Sequence, residues 1–207
     1  MNQDNVQVGP AFSYGWSELK KNFWYFIGLA VIMIILGSIG SGWREHRTYF
    51  NLVGFLINAW LTCGLVRILL DYYDGKKREL TDIFTQVQYF WRILLVNLFV
   101  GIIVCVGFIL FIIPGIYLAL RFQFVGYLVI DKNLAIGEAM KRSTELTRGI
   151  KGSLFLFALA MIGSIILGAI CLGVGIFVAM PVVWLAHIYL YRKLTTAAPM
   201  VAPAMPK

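Results

Sequence analysis

Charge is scarce in this chain. Asp, Glu, Lys and Arg make up only 14% of its 207 residues, whereas 60% are hydrophobic and the mean hydropathy is +0.80. A soluble domain carries about 25% charged and about 45–50% apolar residues. Because lipid solvates apolar surface that water does not, the composition predicts an integral membrane protein. We interpret the net charge of +8 as a topology signal and expect no nucleic-acid partner.

Cysteine pairs and catalytic motifs are also lacking. Cys63, Cys105 and Cys171 lie in separate apolar runs without CxxC or CxxH spacing, which disfavours a disulfide framework or a zinc site. No HExxH, GxSxG or P-loop pattern occurs, and no apolar run holds paired carboxylates. We therefore predict no catalytic, metal-binding or cofactor-binding residue and no enzyme activity. A membrane enzyme without a recognised motif is the minor alternative.

Long apolar runs are abundant. Six runs are close to the ~20 residues that a helix needs to cross a bilayer, and they cover residues 23–40, 49–70, 93–113, 114–130, 154–172 and 175–191. The third and fourth are continuous, and Pro114-Gly115 predicts the break because proline removes a backbone donor. The predicted fold is all-α integral membrane, with six transmembrane helices in three hairpins over 1–194 and a flexible tail over 195–207. Four spans with re-entrant pieces are the alternative.

The basic residues are distributed unevenly between the two sides of this topology. Fourteen of the 18 lysines and arginines lie in segments on one side, and only Arg44 and Arg47 lie on the other. Such an excess marks the cytoplasmic side. Trp24 and Trp91 fall at the predicted cytoplasmic interface and Trp43 at the opposite one, as an aromatic belt requires. We expect a multipass protein of the cell (cytoplasmic) membrane with both termini in the cytoplasm.

Three amphipathic segments precede the odd-numbered spans. Apolar residues recur at helical spacing in 12–21, 80–91 and 134–149. We predict that each segment is an in-plane helix at the cytoplasmic headgroups. Asn133 is a candidate cap for the third helix, and Gly149 is its expected stop. Basic residues in and just after this third segment are predicted headgroup contacts: Lys141, Arg142, Arg148 and Lys151.

Arg121 is the deepest charged residue in the predicted spans. It precedes Asp131 by about ten residues, which is roughly 15 Å along a helix. A charge at that depth is costly, so two interpretations are open. Arg121 either snorkels or pairs within the bundle, or it lines a polar cavity that binds an anionic headgroup or solute. Asn97, Gln123 and His187 would complete such a site, although interhelical hydrogen bonds or packing explain most residues of this kind.

The segment 113–149 resembles a stretch shared by small bacterial multipass proteins of unknown function. It combines the Pro-Gly break, the Arg121-Phe122 pair, Asp131 and a helix with the pattern xEAxxxSxxLTxG. These proteins include the membrane domain attached to some glycerophosphoryl diester phosphodiesterases. The resemblance implies a six-helix membrane domain. It does not imply phosphodiesterase activity, which belongs to a separate soluble domain with acidic metal ligands.

Two functions from different classes follow from these patterns. The leading hypothesis is a structural or accessory membrane protein that acts through lipids, a membrane protein partner or a second copy of itself. The basic side and the amphipathic segments favour it. The alternative is a small-solute transporter or channel-like protein with a polar site around Arg121. That hypothesis depends on the environment of this arginine.

Overall fold

The computed structural model describes residues 7–39, 47–76, 79–84, 89–170 and 174–197. Every regular element in those residues is helical, and a 3-10 turn, Leu80–Phe84, separates the third and fourth α-helices. The α-helices within these ranges are α1 (Val8–Lys21), α2 (Phe23–Ile39), α3 (Arg47–Tyr73), α4 (Phe90–Leu110), α5 (Ile112–Phe122), α6 (Val125–Lys132), α7 (Ile136–Leu146), α8 (Lys151–Ile170) and α9 (Val174–Ala197). Trp43, Arg44 and tail residues 198–207 lie outside the described residues.

Five segments are long and apolar enough to cross a membrane. They are Gly54–Tyr73, Phe90–Leu110, Ile112–Lys132, Lys151–Ile170 and Gly175–Ala197. A sixth arises if α1 and α2 form one broken span, with a bend of 102° between them. The prediction of an all-helical chain is confirmed for the described residues, and five to six of its helices are long and apolar enough to cross a membrane.

The break between α4 and α5 lies three residues earlier than predicted. Phe111 leaves the helical conformation, with φ −163° and ψ 155°, and α5 begins at Ile112. Pro114 therefore lies in the first turn of α5 instead of ending a helix. Proline is tolerated there because the first amide groups of a helix have no acceptor within it. The Pro-Gly signal was thus correct about a break and wrong about its residue.

The segment 80–91, which was predicted as the second in-plane helix, is not an α-helix at its start and overlaps α4 at its end. It forms the 3-10 turn Leu80–Phe84, residues 85–88 lie outside the described part, and α4 begins at Phe90. Ile83 is fully buried against α3, where a Cβ added to Gly64 would lie 2.0 Å from the Ile83 carbonyl oxygen. This short turn therefore packs directly on α3.

The first and third amphipathic segments are helical but differ from prediction at their ends. The first begins earlier, at Val8, and the third is shorter, as Ile136–Leu146. Asn133 does not cap the third helix. It ends α6 in the left-handed conformation, with φ 52°, and its side chain accepts a hydrogen bond from Arg92. Gly149 has φ 83°, which suits the stop predicted after that helix.

The helices divide into central and peripheral ones. Over half of the α3 span is buried inside the protein (56%), and 44% of the α9 span is, against 17% for α4 and for α8. Exposed large apolar side chains accordingly concentrate on α4 and α8. The short α1 packs along α9, so it is part of the bundle and not a separate appendage. Ion pairs of Arg192 with Asp74 and Asp131 bring the ends of α3, α6 and α9 together. We call this end of the protein the basic end.

Candidate functional site

Arg121 is held at the junction of α5 and α7. Its Nε donates a hydrogen bond to Oγ1 of Thr144 at 2.9 Å, and its carbonyl oxygen accepts one from Oγ of Ser143 at 2.7 Å. Because α5 ends one residue later, the carbonyls of its last turn lack partners within the helix. The fully buried Ser143 satisfies one of them. Arg121 thus has a defined structural contact, and α7 is fastened to the end of α5.

A tyrosine and a lysine lie beside this junction. Tyr117, one turn before Arg121, is 43% exposed. Lys151 Nζ lies 3.8 Å from the centroid of the Tyr117 ring and hydrogen-bonds to its hydroxyl group. Within the described residues, neither Arg121 nor Lys151 forms an ion pair with a carboxylate. We call Tyr117, Arg121, Thr144 and Lys151 the cationic cluster.

The other predicted headgroup residues are spread along α7 and the turn after it. Lys141 and Arg148 are exposed. Arg142 is partly buried and forms an ion pair with Glu145, with 3.0 Å between Nη1 and Oε2. Lys151 is the member of this predicted set that belongs to the cationic cluster.

Asn97 and Gln123 share a different environment, a groove of about 440 Å³ between α3, α4, α5 and α6. Its walls are mostly apolar, with Thr62 as a further polar residue. Gln123 Nε2 is buried and has no hydrogen-bond partner among the described residues. Arg121 and His187 are not among the residues that line this groove. Gln123 is therefore one buried polar side chain beside this groove whose hydrogen-bonding capacity is not satisfied within the described residues.

His187 lies in a third environment, among aromatic rings. Its ring centroid is 5.4 Å from that of Phe124, 5.1 Å from that of Tyr127 and 6.1 Å from that of Phe157. Its Nε2 is buried without a hydrogen-bond partner in the described part of the chain. The contacts are those of a packed side chain. The four residues predicted as one polar site are therefore distributed over three surroundings.

A cavity of about 580 Å³ near the basic end was not anticipated from the sequence. Four tyrosines contribute to its wall, together with Glu18, Asn22, Gly75 and Lys76; the tyrosines are Tyr14, Tyr25, Tyr72 and Tyr73. The Tyr72 hydroxyl donates to Glu18 Oε2 and accepts from Asn22 Nδ2, both at 2.9 Å. The spacing of Tyr14 and Glu18, four apart on α1, puts them on one helix face, and this was the only local signal.

Sequence reasoning also missed a set of ion pairs at the basic end. Arg192 of α9 donates from Nη1 to Asp131 at 3.0 Å and from Nη2 to Asp74 at 2.5 Å. The Tyr191 hydroxyl donates to the same Asp131 carboxylate at 2.8 Å. One arginine thereby joins the ends of α3, α6 and α9. A residue expected only to report topology is a structural crosslink.

Comparison with known proteins gives relatives without an assigned activity. A family described as "Protein of unknown function (DUF975)" matches residues 100–198. Uncharacterized proteins of Mycobacterium tuberculosis and Mycobacterium bovis are 27% identical over 243 aligned positions, which cover 100% of this chain and 74% of each relative. No solved structure matches the chain. The family match includes the cationic cluster but begins after α1–α3, so it leaves out the tyrosine-lined cavity.

Proposed function

We propose that this protein is a structural or accessory component of the cytoplasmic membrane that binds anionic lipid headgroups at the cationic cluster. The observation that carries the proposal is the pair of cations, Arg121 and Lys151, which lie beside an exposed tyrosine ring without a carboxylate partner in the described residues. A lipid phosphate offers both of them a counter-charge. Arginine and lysine bind phosphate through charge-assisted hydrogen bonds.

The surroundings of the cluster fit a headgroup better than a soluble anion. Ile113, one turn before Tyr117, is 81% exposed, and Phe155, one turn after Lys151, is also exposed. A ligand at the cluster would therefore meet charge and apolar surface side by side. Lysine and arginine at such a boundary place their heads at the headgroup level while their stems cover apolar surface. A phospholipid has both features, whereas inorganic phosphate has one.

The topology belongs to the same proposal. Both termini lie in the cytoplasm, and α1 and α7 lie at the cytoplasmic side of the bilayer. The uneven distribution of lysine and arginine supports this orientation. The resemblance of 113–149 to the membrane domain of glycerophosphoryl diester phosphodiesterases is compatible with it. The proposal includes no catalytic activity. Besides lipid, the protein would bind another membrane protein or a second copy of itself.

Lipid binding is tested with the full chain purified in a neutral detergent. We expect phosphatidylglycerol to raise the melting temperature and phosphatidylcholine to raise it much less, because only the former is anionic. The double variant Arg121→Gln/Lys151→Gln should lose most of the difference. Lys20→Gln, which removes an exposed charge away from the cluster, is the matched control. Equal shifts for the two lipids, or an undiminished shift in the double variant, would refute the proposal.

Solute transport is the second candidate, and the groove is the observation that favours it. Gln123 and Asn97 both line this mostly apolar groove, and Gln123 Nε2 is buried without a hydrogen-bond partner among the described residues. A solute that carries a hydrogen-bond acceptor would fit there. A flux screen in proteoliposomes should compare the wild type with Gln123→Leu and Arg121→Ala. Flux that Gln123→Leu abolishes would favour transport, and no flux for any solute class would count against it.

A further inference from the structure

The cavity lined by Tyr14, Tyr25, Tyr72 and Tyr73 is not used by either proposed function. It differs from the cationic cluster in charge, because its wall carries a carboxylate, Glu18, among phenol rings. The Glu18 side chain is only 14% exposed. A carboxylate that is largely removed from water is stable only with a positive or hydrogen-bond-donating partner.

The present partner of Glu18 is a side chain of the same helix. Lys21 Nζ lies 2.6 Å from Glu18 Oε1, and the Lys21 side chain is 65% exposed. The other carboxylate oxygen accepts from the Tyr72 hydroxyl, whose own oxygen accepts from Asn22. One oxygen is thus fixed by the wall of the cavity, while the other is bound by a flexible ammonium group at the surface. Because Lys21 is the exposed member of this pair, another ammonium group can take its place on Glu18.

The aromatic part of the wall suits the rest of a cationic ligand. Tyr14 stacks on Tyr189 with 4.9 Å between ring centroids, and Tyr73 lies 5.7 Å from Tyr14. Phenol rings attract ammonium groups through their negative faces and cover alkyl groups as well. Lys76 is the cation among the described residues that line the cavity, and its Nζ is 3.7 Å from an Asp71 oxygen, so its charge is partly offset.

From this arrangement we infer that the cavity binds an organic ammonium ion. The charged nitrogen of the ligand replaces Lys21 Nζ on Glu18 Oε1, and its alkyl part lies against the tyrosine rings. Lys21 therefore acts as an internal competitor for the site. The ligand is either a free amine or the ammonium group of a phosphatidylethanolamine headgroup, since both present the same chemistry to Glu18.

Calorimetric titration of the full chain in detergent with ethanolamine at neutral pH tests the inference. We expect saturable binding, which Glu18→Gln weakens by about tenfold because a charge-assisted hydrogen bond is lost. Lys21→Gln should instead tighten binding by about two- to fivefold, because the competing ammonium is removed. Glu138→Gln removes an exposed carboxylate elsewhere and should leave the affinity unchanged. Since Lys21 is exposed, its variant tests the site even if Glu18→Gln does not fold.

Two further measurements are needed. A comparison of nanodiscs that contain phosphatidylethanolamine with nanodiscs of phosphatidylcholine shows whether the lipid headgroup is the ligand. A titration with potassium chloride controls for ionic strength. Binding in either format with opposite effects of the two variants supports the inference. If titration with potassium chloride gives the same response as titration with ethanolamine, the inference is wrong. An affinity for ethanolamine and for phosphatidylethanolamine that neither Glu18→Gln nor Lys21→Gln changes also overturns it, as does the absence of binding in both formats. The outcome is independent of the cationic cluster.

Discussion

Gly15 of α1 lies directly against the backbone of α9 at Val182. A Cβ built on Gly15 would stand 2.6 Å from the Val182 carbonyl oxygen and 3.3 Å from the Ala186 amide nitrogen. Both atoms belong to the backbone and cannot move aside as a flexible side chain would. The short first helix therefore packs closely against the last one at this glycine, which makes α1 a structural part of the bundle.

Replacing this glycine should destabilise the protein. We expect Gly15→Ala to lower the free energy of unfolding by about 1–3 kcal/mol, as overpacking does, which is about 2–12 °C in melting temperature for a chain of this size. Gly9→Ala, on the same helix, meets nothing within 4 Å, and should be neutral or raise stability by up to about 1 kcal/mol because alanine favours helix. Thermal unfolding of both variants in detergent measures the difference. Equal melting temperatures would show that α1 does not pack on α9.

The apolar helices could be predicted from the sequence because hydropathy is a local property. The runs at 93–113 and 154–172, for example, correspond within three residues at each end to Phe90–Leu110 and Lys151–Ile170. The break at Phe111 could not be located, since proline is compatible with the first turn of the following helix. Proline is typical both of a break between helices and of the first turn of a helix, so Pro114 alone does not locate the break.

The sites were harder to predict because they join distant parts of the chain. The hydrogen bond between Tyr72 and Glu18 spans 54 residues, and the one between Arg192 and Asp131 spans 61. No spacing rule for a single helix relates such residues. Arg121 was recognised as costly from its depth, but its partner Thr144 depends on how α7 folds back onto α5. Local patterns identify unusual residues and leave their partners to tertiary packing.

His187 should be replaceable by an apolar ring. Its Nε2 is buried among aromatic rings without a hydrogen-bond partner in the described residues, and such a group costs about 1–3 kcal/mol. We expect His187→Phe to keep or raise the melting temperature, because it retains a flat ring and removes the unpaired nitrogen. Phe157→Ala, which leaves a cavity beside His187, should lower the free energy of unfolding by about 3–5 kcal/mol. A marked loss of stability in His187→Phe would contradict this prediction, because it would mean that the imidazole nitrogens make a stabilising hydrogen bond.

Arg192 should contribute more to stability than its neighbour in sequence. It binds both Asp131 and Asp74, and its side chain is largely buried together with that of Asp131. Removing one member of such a set leaves a partly buried charge without its partner. We expect Arg192→Gln to lower the free energy of unfolding by about 1–3 kcal/mol, below the cost of a fully buried pair because Asp74 is exposed. Lys193→Gln removes the same charge from the next residue and should change stability by less than about 0.5 kcal/mol.

A double-variant cycle separates the ion pair from a general effect of charge. Asp131→Asn alone should also destabilise the protein. Because Arg192→Gln has already removed its partner, adding Asp131→Asn to that variant should cost much less than it costs in the wild type. Melting temperatures of the four proteins in one detergent give the coupling directly. Strictly additive losses would mean that Arg192 and Asp131 do not stabilise each other, and the link between the ends of α6 and α9 would then rest on packing and on the hydrogen bond from Tyr191 to Asp131.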